Sequence, residues 1–133
     1  MSTILILEAD PHQRLLLDEE LQSEGYATVA PARGAEALNA LAGTRPDLVL
    51  LGVASPADGV QVIRRIIERY SVVPIIVCST YSSECRDIFV ACGADACVLR
   101  RSDLSELKAT VRRVLRGCRS VQPSPPPDFA CVV

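Results

Sequence analysis

Three stretches of this chain are apolar at nearly every position: TILIL at 3–7, PDLVLL at 46–51 and VVPIIVCS at 72–79. A strand with one face in water alternates apolar and polar residues, because successive side chains point to opposite faces. Strands without that alternation must be covered on both faces, as in a parallel sheet held between helices. Two shorter runs, YATVA at 26–30 and ACVL at 96–99, complete a set of five strands.

Between these runs the apolar spacing turns helical. Asp10 offers a side-chain cap, Pro11 suits a first helical position, and Gly25 ends the helix. Leu15, Leu17 and Leu21 are read as its inward face. GAEALNALAG at 34–43 is a short helix closed by Gly43, and GVQVIRRIIERY at 59–70 is another, with Val62, Ile63, Ile66 and Ile67 inward. SSECRDIFVACG at 82–93 is a helix capped by Ser82 or Ser83 and ended by Gly93. In the last helix Asp103 and Glu106 form a capping-box-like start, and Leu104, Leu107, Val111, Val114 and Leu115 form one stripe. Arg112, Arg113 and Arg116 complement the dipole at its end. Five strands alternating with five helices predict an α/β fold whose ligands and chemistry sit beyond the carboxyl ends of the strands. Those positions are Glu8 and Asp10, the loop opening at Gly52, Ser79 and Thr80, and Arg100 and Arg101.

With 133 residues the chain holds one core, expected over 1–118, and 119–133 (RSVQPSPPPDFACVV) is expected to be a proline-rich flexible tail. A formal net charge of -2 gives no bulk attraction to nucleic acid or anionic membranes. No apolar run reaches the roughly 18 residues of a membrane span, and MSTILILEAD has no signal-type pattern, so a cytoplasmic location is expected. About fifteen residues after the last helix are too few for a helix-turn-helix, so DNA binding within this chain is not expected. The six cysteines lack zinc-type spacing, and His12 is the single histidine. Most of the cysteines read as small buried apolar residues. Cys85 and Cys92, seven apart on one helix, stand about 10 Å from each other, too far for a disulfide that needs Cα atoms within about 7 Å.

ILILEADP, RPDLVLLGVASPADG, VPIIVCST and GADACVLR, in that order, resemble the first, third, fourth and fifth strands of bacterial response-regulator receiver domains, with their strand-end residues. The resemblance covers about residues 3–117. It implies a flavodoxin-like doubly wound (βα)5 sandwich with a parallel sheet in the order 2-1-3-4-5. It also implies five working groups: an aspartate nucleophile, an acidic pair that holds magnesium, a hydroxyl and a lysine. Here the nucleophile position is Gly52, the direct metal-ligand position is Ala9 with Glu8 as its neighbour, and the basic residue is Arg100. Arg101 stands where the family places a proline, and Cys97 where it places a switch aromatic; Ser79 keeps its expected type.

The loop from Gly52 to Gly59 is one residue shorter than the family's usual loop. Asp10 is expected to be occupied as a helix cap, so Glu8 and Asp10 are weak metal candidates and no magnesium or other cofactor is expected. An always-charged Arg100 is expected to reach Glu8 and fill the ion's space.

The expected function is a non-enzymatic, phosphorylation-independent interaction module of two-component signalling. Its partner would be a histidine kinase, an output protein or a second copy. The expected face is the fourth helix, fifth strand and fifth helix, with Arg86, Cys97, Arg101, Lys108 and Arg112. An acidic first helix (Asp18, Glu19, Glu20, Glu24) adds the possibility of head-to-tail association. Two other readings compete. In one, Asp58 or Glu8 accepts phosphate in place of the missing aspartate. In the other, DPHQRL at 10–15 belongs to a cobalamin-type enzyme site, although Leu15 stands where that motif needs glycine. In the tail, PSPP fits a proline-rich ligand pattern and CVV could add to a partner's sheet edge.

Overall fold

The structure is a computed structural model that describes residues 1–32, 39, 41–53, 56–70, 72–79, 83–99 and 103–117. The elements in chain order are β1 (Thr3–Leu7), α1 (Pro11–Ser23), β2 (Ala27–Val29), α2 (described over 41–44), β3 (Leu48–Val53) and α3 (Pro56–Arg69). They continue with β4 (Ile75–Ser79), α4 (Ser83–Ala91), β5 (Ala96–Leu99) and α5 (Ser105–Leu115). The five strands form one parallel sheet in the order β2-β1-β3-β4-β5, the flavodoxin-like order.

The strand pleat sorts the apolar runs into two cores. Ile4, Ile6, Leu48, Leu50, Ile76, Cys78, Ala96 and Val98 point to the face that α1 covers with Leu17 and Leu21 and α5 with Leu107, Val111 and Val114. Leu5, Leu7, Val49, Leu51, Val53, Ile75 and Val77 point the other way, toward Leu41 of α2, Ile63 and Ile66 of α3 and Phe89 of α4. Burial on both faces is why the strands read as unbroken apolar runs.

Leu15 is not part of the inward face; it is 57 % exposed, and Leu16 is 37 % exposed. Two positions before Leu17 is roughly 200° around a helix, which turns Leu15 to the opposite side. β3 continues two residues past the expected boundary, to Val53, and α3 begins at Pro56 rather than Gly59. PADG therefore starts a helix, with proline at a position that needs no N–H donor. Gly52 accordingly lies within the strand and does not open a loop. β4 begins at Ile75, after the exposed Val72 and the half-buried Pro74.

Helix ends also differ from expectation in two places. Gly43 does not close α2: the helix runs on to Thr44, and Arg45 turns the chain at φ +48° while its N–H donates to Leu41 O at 3.1 Å. A side chain in this left-handed region costs about 1–2 kcal/mol. At α5 the capping position is Leu104, without a side-chain bond. Asp103 acts one residue earlier, its Oδ1 accepting from Ser105 N (3.0 Å) and Ser105 Oγ (2.7 Å).

Two glycines are required by contact. A Cβ on Gly59 would lie 2.7 Å from Phe89 Cε1 and 2.9 Å from Val53 Cγ1, so the start of α3 seats directly on β3 and α4. Gly93, at φ +120°, ends α4 against Ile67, as expected of a helix-ending glycine. Gly25 (φ +94°) does the same for α1.

Candidate functional site

Leu7 pairs with Leu51, so Glu8 leaves β1 level with Gly52; Gly52 in turn pairs with Cys78, and Cys78 with Val98. Across the carboxyl ends of the central strands the row therefore reads carboxylate, no side chain, thiol. With strands about 4.8 Å apart, Glu8 and Cys78 flank the glycine at roughly 10 Å from each other. Gly52 is half-buried while its strand neighbours are buried, because no side chain covers its backbone. One residue on, Val53 pairs with Ser79, and Ser79 with Leu99. Ser79 is buried on the opposite face from Cys78.

The turn from β1 into α1 is tied by three local bonds. Glu8 is buried, and its Oε2 accepts from Asp10 N at 3.1 Å. Asp10 Oδ1 accepts from His12 N at 2.9 Å, so Asp10 caps α1 as its position before Pro11 predicts. Arg14 Nη1 donates to Glu8 O at 3.1 Å from the first turns of α1, a role that no sequence pattern announced. Ala9 is exposed and offers no ligand atom on its side chain. His12 is exposed, as a surface residue of this helix would be. Among the described residues no group of three or more His, Cys, Asp or Glu is placed to hold a metal ion.

The expected partners fare differently. Arg100 and Arg101 lie outside the described residues, and with them the proposed Arg100–Glu8 pair; Arg86 sits in α4, but its side chain is outside the description. Thr80, Ser82, Cys85 and the tail 119–133 also fall outside it, at least in their side chains. Cys97 lies on β5, half-buried, paired with Val77 and packed against the core of α3 and α4. Lys108 and Arg112 are not available as a free basic face. Lys108 Nζ bonds Glu20 Oε2 at 2.8 Å and Arg112 Nη1 bonds Glu24 Oε1 at 3.3 Å, so both reach across to α1. The Glu20 hydrogen bond holds the Lys108 ammonium above its ordinary pKa. Helices α1 and α5 run parallel on one face of the sheet, which brings the acidic and basic surfaces together within one molecule and weakens the case for head-to-tail association.

Two residues at the opposite end of the sheet also went unassigned. Asp47 Oδ2 accepts from Thr3 N at 2.8 Å while Asp47 N donates to Thr3 O at 2.8 Å. Asp95 repeats the device on Ile75, with both bonds at 2.8 Å. In sequence the shared signal is an aspartate standing at the entry to an apolar run, in PDLVLL and ADACVL.

The family model for the response regulator receiver domain matches residues 4–112, which spans all five strands and most of α5. The chain belongs to this family. The receiver is 34 % identical over 119 residues to the transcriptional regulatory protein AfsQ1 of Streptomyces coelicolor, covering 87 % of this chain and 52 % of that protein. It thus spans about half the length of that relative. It is 30 % identical over 118 residues to sporulation initiation phosphotransferase F of Bacillus subtilis, covering 84 % of this chain and 92 % of that one. The crystal structure of the response regulator TrrA of Thermotoga maritima with Mg2+ and BeF superposes with a TM-score of 0.76 at 33 % identity, covering 86 % and 99 % of the two chains. TrrA has also been crystallised with the histidine kinase ThkA, and that TrrA chain is 34 % identical to this receiver. The chain is therefore a two-component receiver domain with the flavodoxin-like fold. No helix among its described residues is long and apolar enough to cross a membrane.

Proposed function

We propose that this receiver works as a phosphorylation-independent interaction module, a pseudo-receiver that lacks the phospho-accepting aspartate. The observation that carries the reading is Gly52 in β3, in register with Cys78, at the strand position where the family resemblance places the nucleophile. Phosphoryl transfer needs an attacking side-chain oxygen, and glycine has none. Ala9 at the metal-ligand position acts in the same direction. Magnesium binds through carboxylates and phosphate oxygens, and here one buried carboxylate, Glu8, stands beside a helix cap, Asp10. No cofactor is proposed.

The partners proposed are a histidine kinase, an output protein or a second copy. The kinase is suggested by the TrrA relative seen with ThkA, and the face is that formed by α4, β5 and α5. Residues 1–118 would act as the unit in the cytoplasm, with 119–133 as an appended tail. The alternative acceptors are poorly placed for in-line attack: Asp58 is exposed in the first turn of α3, and Glu8 is buried with Oε2 on a backbone N–H.

Incubation with acetyl phosphate and Mg2+, read by intact mass, tests the reading. No gain of a phosphoryl group is expected, and Mg2+ alone leaves the melting temperature unchanged. An acyl-phosphate on any aspartate or glutamate overturns it in favour of a non-standard acceptor.

A further inference from the structure

β2 ends the strand order, so among the described residues it pairs with β1 on one side and is open on the other. Ala27 N donates to Ser2 O at 2.9 Å. Backbone groups alternate sides along a strand, so Thr28 turns its N–H and C=O to the open side. Residues 26–31 along this edge are all half-buried. Beside it α1 presents Leu15, 57 % exposed, on the flank of Asp18 and Gln22. Gln22 Nε2 donates to Thr28 Oγ1 at 2.9 Å and Thr28 Oγ1 donates to Asp18 Oδ1, so that flank overlooks β2.

A further apolar run, FACVV at 129–133, lies in the tail outside the described residues. It is entered through PDF at 127–129, which repeats PDL at 46–48. There Asp47 stands level with Thr3 of the neighbouring strand and exchanges two bonds with its backbone. Asp95 does the same with Ile75. The same offset sets Asp128 level with Tyr26, and Phe129, Ala130 and Cys131 level with Ala27, Thr28 and Val29. Thr28 N then donates to Asp128 O and Ala130 N to Thr28 O. Tyr26 N donates to Leu21 O at 3.3 Å, a long bond that the Asp128 carboxylate can share. Val132 comes level with Ala30, on the face of α1, where it covers Leu15.

Reach and handedness both permit this. α5 and α1 end side by side, Arg112 being bonded to Glu24. With helix axes roughly 10 Å apart, the way from Gly117 around the end of α1 to Tyr26 is roughly twice that. Residues 118–127, four of them proline, span about 30 Å when extended at ~3.1 Å each. The step from β1 through α1 to β2 crosses one face of the sheet toward the β2 edge, and α5 lies on that same face. A chain that leaves β5 through α5 and re-enters beyond β2 therefore makes a crossover of the same hand, the right-handed one that parallel strands require.

We propose that residues 129–133 dock on the open edge of β2 of their own chain as a sixth, parallel strand, entered through Asp128. The inference goes beyond the interaction-module reading and does not depend on whether the domain accepts phosphate. An unpaired edge is a template for any extended chain. With the tail in place, a partner that offers an extended apolar segment to this edge has to displace it.

Amide hydrogen exchange and methyl NOEs of the full chain, under reducing conditions, test it. Thr28 N–H is expected to exchange at least about tenfold more slowly in wild type than in Ala130→Pro, which removes the donor to Thr28 O. Cys131→Pro, whose lost N–H would face solvent, retains most of the protection. A Val132–Leu15 NOE is expected, and the amides of Ile4 and Leu5 stay protected in both variants. A wild-type Thr28 N–H that exchanges like an unpaired amide overturns the proposal, as does protection that survives Ala130→Pro. Protection that rises with protein concentration also overturns it, because the strand then comes from a second copy. Equal loss in Cys131→Pro overturns the register.

Discussion

At Gly59 and Gly43 the same substitution should act with opposite sign. Alanine at Gly59 forces a methyl to within 2.7 Å of the buried Phe89 ring and 2.9 Å of Val53. Overpacking of this kind costs about 1–3 kcal/mol and exceeds the roughly 0.5–1 kcal/mol that a helix gains from Gly to Ala. Gly43 lies inside α2 with nothing within 4 Å of the added methyl, so there the helix gain stands alone. Urea titration should show Gly59→Ala less stable by about 1–2 kcal/mol and Gly43→Ala more stable by about 0.5–1 kcal/mol. A glycine's identity says nothing of which case applies. That depends on what packs opposite it, which for Gly59 is a side chain thirty positions away on another helix.

Among the elements, the sheet is held in register at its amino end by two aspartates, and α5 is held to α1 by two ion pairs. Asp95 ties the entry of β5 to the first residue of β4, whose side chain is fully buried. A hydrogen bond to a charged group contributes about 1.5–3 kcal/mol, and its loss leaves the Ile75 N–H without that acceptor. Asp95→Ala should therefore lower stability by about 1–3 kcal/mol, while Asp95→Asn, which keeps an oxygen there, recovers most of it. Amide exchange checks the location: Ile75 loses protection first in the alanine variant. The α1–α5 pairs follow from topology. Helices that are 88 positions apart in sequence become neighbours because the chain returns to the same face of the sheet, and that is how the basic residues of the expected partner face came to be used internally.

For the whole molecule, pH dependence is expected on the alkaline side. Burial raises the Cys92 thiol above its ordinary pKa of 9.0, partly offset by Arg64. The folded state then keeps a proton that the unfolded chain gives up. Its stabilising effect is complete below about pH 9 and is lost as pH rises through the folded value. Lys108, raised above 10.5 by Glu20, adds a second loss of the same sign at higher pH. The melting temperature should fall above pH 9, and Cys92→Ala should remove the first part of the fall relative to wild type. A decline identical in the variant would assign it to other groups. The sequence by itself determined the chain order and type of the five strands and the two-sided sheet, since unbroken apolar runs are local signals, while Gly52, Ala9 and Cys97 were marked only through the family resemblance. Periodicity also chose Leu17 and Leu21 correctly, and a simple rotation shows why Leu15 did not belong with them. Only the tertiary structure decided that Gly52 lies within β3, that Arg45 ends α2, that Asp47 and Asp95 clamp neighbouring strands, and that Lys108 and Arg112 face α1. Each of those depends on a partner brought close by chain return, and no window of neighbouring residues contains that information.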